Sequence, residues 1–433
     1  MSLLDLANQG GGRTWSRIGD SYGVTKKPRN LDVRSHATIP FIPMESVPQG
    51  GAYEPAFVLK SPDALTSGNY FERGDVLVSK ITPSFENGKQ ALVQSLPLPF
   101  GYATTEVIPL RPFDSSKSDP RLLFFYLLHP DVRHFVAERM EGSTGRQRVP
   151  EGVLLDLPMP DIEPQEQVRA ADALELIQMA MAVENKAAEH AQELKRAAMT
   201  RLFTRGLRGE AQKDTEIGLV PESWEVDSLG SHHTVVSGGT PSRANPAFWT
   251  DGTIPWAKTT EVDYCVINET EEHITPQGLE SSAAKLLPAG TLLMAMYGQG
   301  VTRGKVAVLG IEAACNQACA AITPKDDAVL PRYLYHFLAW RYEAIRSLAH
   351  GGQQQNLNLE IVRDLPLAYP QAEDEQREVV AILDALDRKI ALHRQKRAVL
   401  EELFQSLLHK LMTGDIRVGD LDLSALPAAT TAA

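Results

Sequence analysis

The chain has few residues suited to cross-linking, membrane crossing or catalysis. It holds three cysteines among 433 residues, an odd number too small to cross-link so long a chain and usual where thiols stay reduced. No stretch approaches the ~18 uninterrupted apolar residues that a membrane span needs. Between Met1 and Arg13 a Leu/Ala stretch is broken by Asp5 and then by glycines. No secretory signal is read there, and a cytoplasmic location without membrane contact is expected. No Gly-x-x-x-x-Gly-Lys-Ser/Thr loop occurs, which argues against a nucleotide site in the chain. Cys315 and Cys319 lack a second close pair or a histidine partner, so no zinc site is expected. His232 and His233 are chain neighbours whose side chains diverge on an extended backbone, and they read as loop residues rather than ligands. No catalytic residue is assigned.

What is present is ordinary globular material. Apolar residues at 43% and charged residues at 23% exclude wholesale disorder, and the length suggests two or three domains. The net charge of −12 is concentrated in residues 206–371, which hold 12 basic against 19 acidic side chains. Net charge governs solubility and steering, whereas phosphate is bound by local basic patches, so a nucleic-acid partner stays open.

The informative feature is an internal repeat with a period of about 209 residues. Thr14-Trp15-Ser16 answers Ser223-Trp224-Glu225, and Ile39-Pro40-Phe41 answers Ile254-Pro255-Trp256. Phe71 to Leu77 answers Leu287 to Leu293, and Gly88-Lys89 answers Gly304-Lys305. Pro120-Arg121-Leu122 answers Pro331-Arg332-Tyr333, and Asp156-Leu157-Pro158 answers Asp364-Leu365-Pro366. A period this long means duplicated domains, because solenoid repeats run 20–50 residues.

Each half has the same grammar. Short β-type stretches, Asp75–Lys80, Glu106–Arg111, Thr291–Tyr297 and Gly304–Leu309, are separated by turn residues. One helix is expected over 120–140 and one over 331–349, and then a long helix over 164–204 and another over 373–413. Each long helix ends near a glycine, Gly206 or Gly414. Val379, Leu386, His393, Leu400 and Leu407 recur every seven residues, with Leu383, Ile390, Arg397, Phe404 and Leu411 as the companion series. In the same frame the first long helix offers Leu174, Ile177, Met181, Glu184, Ala188, Ala191, Lys195 and Leu202. The fold expected is α+β: two mixed α/β domains and two long antiparallel helices in a coiled coil, duplicated about a pseudo-two-fold axis. Boundaries are placed at 1–162, 163–206, 207–371 and 372–414, with 415–433 as a flexible tail. The favoured register sets Glu184 opposite Arg397; a shift of one turn would set it opposite His393. At ~1.5 Å per residue each long helix is a rod of ~60 Å, suited to spacing two sites.

These residues resemble the specificity subunit of type I restriction–modification systems, over almost the whole chain. The most telling stretch is Ile217-Gly218-Leu219-Val220-Pro221-Glu222-Ser223-Trp224, followed by Ser237-Gly238-Gly239-Thr240-Pro241-Ser242 and Ile254-Pro255-Trp256. Asn316-Gln317 and Gly351-Gly352-Gln353-Gln354-Gln355-Asn356-Leu357 come next in order. The first half lacks the Gly-Gly-Thr-Pro-Ser motif and has Thr105-Glu106 in place of Asn-Gln, so the two halves are expected to recognise different sequences. The resemblance implies a non-catalytic subunit that reads a bipartite, asymmetric site in double-stranded DNA, one half-site per domain. It also implies docking of two modification (methyltransferase) subunits and two restriction (translocase–nuclease) subunits. S-adenosylmethionine, ATP and Mg would belong to those partners, with no cofactor in this chain. Two other readings are weighed against it, a fused adenine methyltransferase and a coiled-coil adaptor without a DNA role. Asn245-Pro246-Ala247-Phe248 resembles the Asn-Pro-Pro-Phe/Tyr loop of adenine methyltransferases but lacks the second proline, and a turn is the better reading.

DNA-contact candidates follow from residue chemistry. Arg, Lys, Asn and Gln read base edges, and cations and hydroxyls hold phosphates. In the first half the candidates are Lys26, Lys27, Arg29, Lys80, Lys89, Thr144, Arg146, Gln147 and Arg148. In the second they are Thr240, Ser242, Arg243, Lys258, Tyr297, Thr302, Arg303, Lys305, Gln353, Gln354, Gln355 and Asn356. Charges on the long helices read as solvated faces and partner contacts rather than a DNA tract.

Overall fold

The computed structural model describes residues 3–5, 13–143, 145–298, 301–348 and 356–420. It divides into two compact units, Met1–Lys186 with His393–Ala433, and Ala187–Leu392. No helix among the described residues is long and apolar enough to cross a membrane.

In the first unit Val76–Ser79 is an apolar stretch buried at all four positions, as a strand covered on both faces must be. It lies second from one edge of an antiparallel sheet in the order Tyr22–Val24, Val107–Pro112, Val76–Ser79, Gln90–Leu92. A second sheet runs Val58–Lys60, Ile39–Ile42, Phe100–Ala103, Asn69–Glu72 and contains a parallel pair with Phe41 opposite Tyr102. A ribbon of Trp15–Arg17 on Pro158–Pro160 ties the start of the domain to the segment entering the first long helix.

The second unit repeats this plan. Its ribbon is Glu225–Ser228 on Pro366–Tyr369. Its larger sheet runs His233–Ser237, Cys319–Pro324, Leu292–Ala295, Val306–Leu309, with Val266–Ile267 added at the far edge. Its smaller sheet, Glu272–Ile274, Ile254–Ala257, Ala314–Cys315, again holds a parallel pair, Trp256 opposite Ala314. The duplication seen in the sequence is therefore a duplication of strand order. The helices expected over 120–140 and 331–349 are each broken in two, as Pro120–Tyr126 with Pro130–Ala137 and Pro331–Trp340 with Tyr342–Leu348. At the first break Pro130 has no N–H to continue the helix, and His129 caps the new one by accepting from the Asp131 N–H.

The long helices span Pro164–Arg205 and Glu373–Thr413, and Gly206 and Gly414 stop them with φ of +60° and +82°. In the first unit Leu174, Ile177 and Met181 share one core with Phe404, Leu407 and Leu411, and Leu400 packs at its edge. The two segments are antiparallel there. Glu166 at the start of one bonds Arg13, which lies against Gly414 beyond the end of the other, while Glu184 reaches His393 at 2.6 Å. In the second unit Lys195 bonds Asp387 at 2.6 Å and Gly206 lies against Glu375, so that pair is antiparallel too. Ile390 is buried on its seam and Leu386 half-buried.

The pairing of Glu184 with Arg397 is overturned. Glu184 takes His393, with Lys396 at 3.9 Å, and Arg397 is exposed and bonds Glu401 one turn along its own helix at 3.3 Å. The neutral or cationic ring of His393 suits a half-buried seam better than a guanidinium, which keeps its water by bonding at i, i+4.

A pair of glutamines fixes each long helix to its own domain. Gln167 accepts from the Asp119 N–H and donates to the carbonyls of Lys117 and Ile162. Gln376, 209 residues on, accepts from the Leu330 N–H and donates to the carbonyls of Ala328 and Pro370. Both are buried. Gln376→Leu is expected to destabilise the second unit by roughly 1–3 kcal/mol for each buried group left unpaired, measured by urea unfolding. A midpoint equal to the wild type's would show that these bonds are not holding the helix.

Candidate nucleic-acid interface

The strand registers bring most of the candidate residues to one end of the larger sheet in each unit. In the first unit Thr25 N–H bonds the Pro109 carbonyl, so the chain entering Lys26 runs toward the Glu106 end of its neighbour. Lys80 N–H bonds the Glu106 carbonyl, Thr82 N–H bonds the Gln147 carbonyl, and Val149 N–H bonds the Lys80 carbonyl. The hairpin Glu141–Ser143 on Arg146–Arg148 is thereby joined to the loop holding Lys80 and Lys89. In the second unit Gly238 N–H bonds the Cys319 carbonyl and Gly239 N–H the Cys315 carbonyl, setting Thr240 on Gln317 through a hydroxyl–amide bond. Met296 N–H bonds the Ala318 carbonyl and Leu357 N–H the Met296 carbonyl, which brings the end of the glutamine-rich loop to the Tyr297 loop.

The side chains at these two ends differ in availability. Lys26, Lys27, Arg29 and Arg146 are exposed and make no ion pair among the described residues. Gln147 is half-buried, and Lys89 is half-buried and donates to the Met44 carbonyl at 3.2 Å. Arg148 is already engaged: its Nε and terminal nitrogen hold both oxygens of Glu106 at 2.8 and 2.7 Å. That hydrogen bonding keeps the Glu106 carboxyl below its ordinary range, and the Lys80 charge acts in the same direction.

In the second unit most of the candidate cations are committed to carboxylates. Arg243 bonds Glu272 and stacks over Trp249 at 3.7 Å. Lys258 sits 2.6 Å from Glu271 and 3.1 Å from Glu272, and Lys305 sits 2.6 Å from Asp263. Arg303 is buried. Ser242, Tyr297 and Asn356 are exposed, and Thr240 and Thr302 half-exposed. Thr144, Gln353, Gln354 and Gln355 lie outside the described residues, as do residues 421–433 of the expected tail.

The other motifs are structural. Asn245 caps a turn at Pro246–Phe248 by accepting from the Ala247 N–H. His232 and His233 are not loop residues: His232 ends a helical turn between Asp227 and Asp326, and His233, itself buried, begins a strand. Two His/Asp groups have metal-ligand spacing, His129 with Asp131 and His409, and His336 with Asp384 and Asp387. In the second the carboxylates already face Arg332 and Lys195. In the first His129 Nδ1 accepts a backbone N–H, which leaves its Nε2 to donate to His409.

Residues 221–402 match the family model described as the type I restriction modification DNA specificity domain. The chain is 27% identical over 208 residues to the type I restriction enzyme MjaIX specificity subunit of Methanocaldococcus jannaschii, covering 47% of each. That alignment spans about half the relative's length. The putative MjaX specificity subunit of the same organism is 23% identical over 353 residues, covering 80% of this chain and 79% of the relative. The crystal structure of a type I restriction-modification S subunit from M. genitalium superposes with a TM-score of 0.58 at 14% identity, over 92% of this chain and 96% of that one. The chain is similar to type I specificity subunits, and residues 221–402 carry the match to their DNA specificity domain.

Its relatives are specificity subunits rather than catalytic ones, and DNA recognition is the role their name carries. Sequence reasoning found the loops but missed their internal partners. The exchange of Asn-Gln for Thr-Glu was visible, yet the bond from Glu106 to Arg148 spans 42 residues and had no local signal. The requirement for Gly238 and Gly239 was also missed, although the Gly-Gly pair marks it. A Cβ at either would lie within 2.3 Å of backbone atoms, Cys315 O and Asn316 O for the first and Ala284 N and Ala283 C for the second.

Proposed function

We propose that this chain reads a bipartite, asymmetric site in double-stranded DNA, one half-site per unit, as part of a cytoplasmic type I restriction–modification complex. The reading rests on one observation: equivalent sheets in the two units present loops at the same end, with different side chains on them. The first end offers Lys26, Lys27, Arg29 and Arg146 as free cations with Gln147 beside them, and the second offers Thr240, Ser242, Tyr297, Thr302 and Asn356. Arginine and amides suit base edges, and hydroxyls suit either bases or phosphates.

The long helices would dock two modification subunits, which would carry S-adenosylmethionine. Two restriction subunits with ATP and Mg would complete the assembly. Supporting this, the helices expose Val168, Met179, Val183, Val399 and Leu403 in the first unit and Leu194, Ile382 and Leu392 in the second. Apolar residues left in water on a paired helix suit a further helical partner.

The test is the methylated motif in cells carrying the complex. Arg146→Ala with Gln147→Ala should relax one half of that motif and leave the other intact, each base-edge pairing that is removed costing ~1–3 kcal/mol. Simultaneous change in both halves would reject independent reading. Methylation by the purified chain alone would favour a fused methyltransferase, and absence of duplex binding with modification subunits present would favour a simple adaptor.

A further inference from the structure

Among the described residues, the reading loops of unit Ala187–Leu392 offer few free cations, because Arg243, Lys258 and Lys305 are each neutralised by a carboxylate. Its free arginines lie elsewhere. From Leu194 to Gly209 the sequence holds Lys195, Arg196, Arg201, Arg205 and Arg208 and no acidic residue. Lys195 is taken by Asp387, and Arg208 faces Glu375 at 3.5 Å. Arg196, Arg201 and Arg205 are exposed and make no ion pair among the described residues.

Their placement on the helix is ordered. Met199, Leu202 and Phe203 face the core of the unit. On the opposite side Ala197, Thr200 and Thr204 form a floor of small side chains, walled by Arg196 on one side and by Arg201 and Arg205 on the other, and the six line one open groove. At 1.5 Å per residue the guanidinium-bearing positions are separated along the axis by about 7.5 and 6 Å, roughly two steps of ~3.4 Å along one strand of a duplex.

Favourable interaction with the C-terminal end of the helix dipole explains Arg205 but not Arg196, which lies more than two turns inside. Helix pairing does not explain the stripe either. The positions 209 residues on are Gln405, Lys410 and Gly414, so the duplicated helix does without it.

We propose that the Arg196, Arg201 and Arg205 groove is a phosphate-binding track for the backbone of double-stranded DNA, adding sequence-independent affinity that the acidic second unit lacks at its reading loops. The inference rests on the DNA-recognition reading above. Its occupant is a phosphodiester strand rather than an acidic protein surface, because the small side chains of the floor let a backbone approach closely, the arginine spacing along the axis is close to two backbone steps, and the walls are guanidinium groups suited to paired phosphate oxygens.

The experiment measures binding of a labelled random-sequence duplex to the full chain assembled with its modification subunits, across a salt series. Replacing all three residues, Arg196→Gln, Arg201→Gln and Arg205→Gln, should reduce the slope of log affinity against log salt by about 0.9 for each phosphate that is no longer neutralised. The methylated motif should stay the same, and the three Arg→Lys replacements should retain most of the slope. Lysine variants control for folding, since they keep charge and helix propensity. An unchanged slope in the glutamine variant, with wild-type binding intact, overturns the track while leaving DNA recognition standing. Weakened assembly with modification subunits at an unchanged slope also overturns it, in favour of an acidic protein partner. No duplex binding by the wild-type complex would remove both readings.

Discussion

Gly238→Ala should unfold the reading end of the second unit and spare the first. A Cβ at Gly238 would sit 2.2 Å from the Cys315 carbonyl oxygen and 2.3 Å from that of Asn316. Neither can swing away, because the Asn316 carbonyl closes a turn by accepting from the Cys319 N–H at 3.1 Å and Cys315 ends a strand paired with Ala257. The strand end must therefore separate, losing the Gly238 bond to the Cys319 carbonyl at 3.1 Å and the Gly239 bond to the Cys315 carbonyl at 2.9 Å. Overpacking plus two broken backbone bonds amounts to about 3–5 kcal/mol. Four of the five tryptophans, Trp224, Trp249, Trp256 and Trp340, lie in that unit, so tryptophan fluorescence during urea unfolding reports it. Gly152→Ala in the first unit, where a Cβ meets nothing within 4 Å, is the matched control. Equal stability of the two variants would mean that the Gly-Gly pair is not a packing requirement.

The same loop shows which features the sequence makes legible. The duplication could be read because the stretches around Trp15 and Trp224, and Asp156-Leu157-Pro158 and Asp364-Leu365-Pro366, recur at about one period, and the helix pair because Leu174, Ile177 and Met181 keep the heptad frame. Those are patterns of burial, which repeats regularly along the chain. The state of the candidate cations could not be read, because each partner is remote: Glu272 is 29 residues from Arg243, and Asp263 is 42 from Lys305. Arg397 failed for the opposite reason, as its partner Glu401 was one turn away and outcompeted the distant Glu184. The break at Pro130 did have a local signal, a proline inside an otherwise helical pattern, which the apolar spacing around it masked.

Acid should weaken the second unit before the first. Burial pushes His233 down to about 4, so its neutral ring must charge as the fold is acidified. The unfolded chain binds that proton near 6.5 and the folded chain near 4, so the unfolded state holds more protons throughout that window. Stability is full above pH 6.5 and falls by about 3 kcal/mol on the way to pH 4, at 1.36 kcal/mol per unit. His336 is lowered too, by burial, which outweighs its bond to Asp384. His232 opposes them: burial lowers it, but Asp326 and Asp227 raise it overall, so its contribution is full at low pH and is lost as pH rises through its folded value. In the first unit two buried groups offset one another. Burial pushes His129 down to about 4, which costs stability on acidification, and pushes the Asp75 carboxyl up to about 6, which adds stability as pH falls from 6 toward 3.8. Urea unfolding followed by tryptophan fluorescence at pH 7 and pH 5 should show a clear loss for the wild type. In His233→Phe, which keeps an apolar ring in the buried site, most of that loss should disappear. If the variant and the wild type lose stability in parallel, His233 is not the group that charges, and the acid sensitivity belongs to His336.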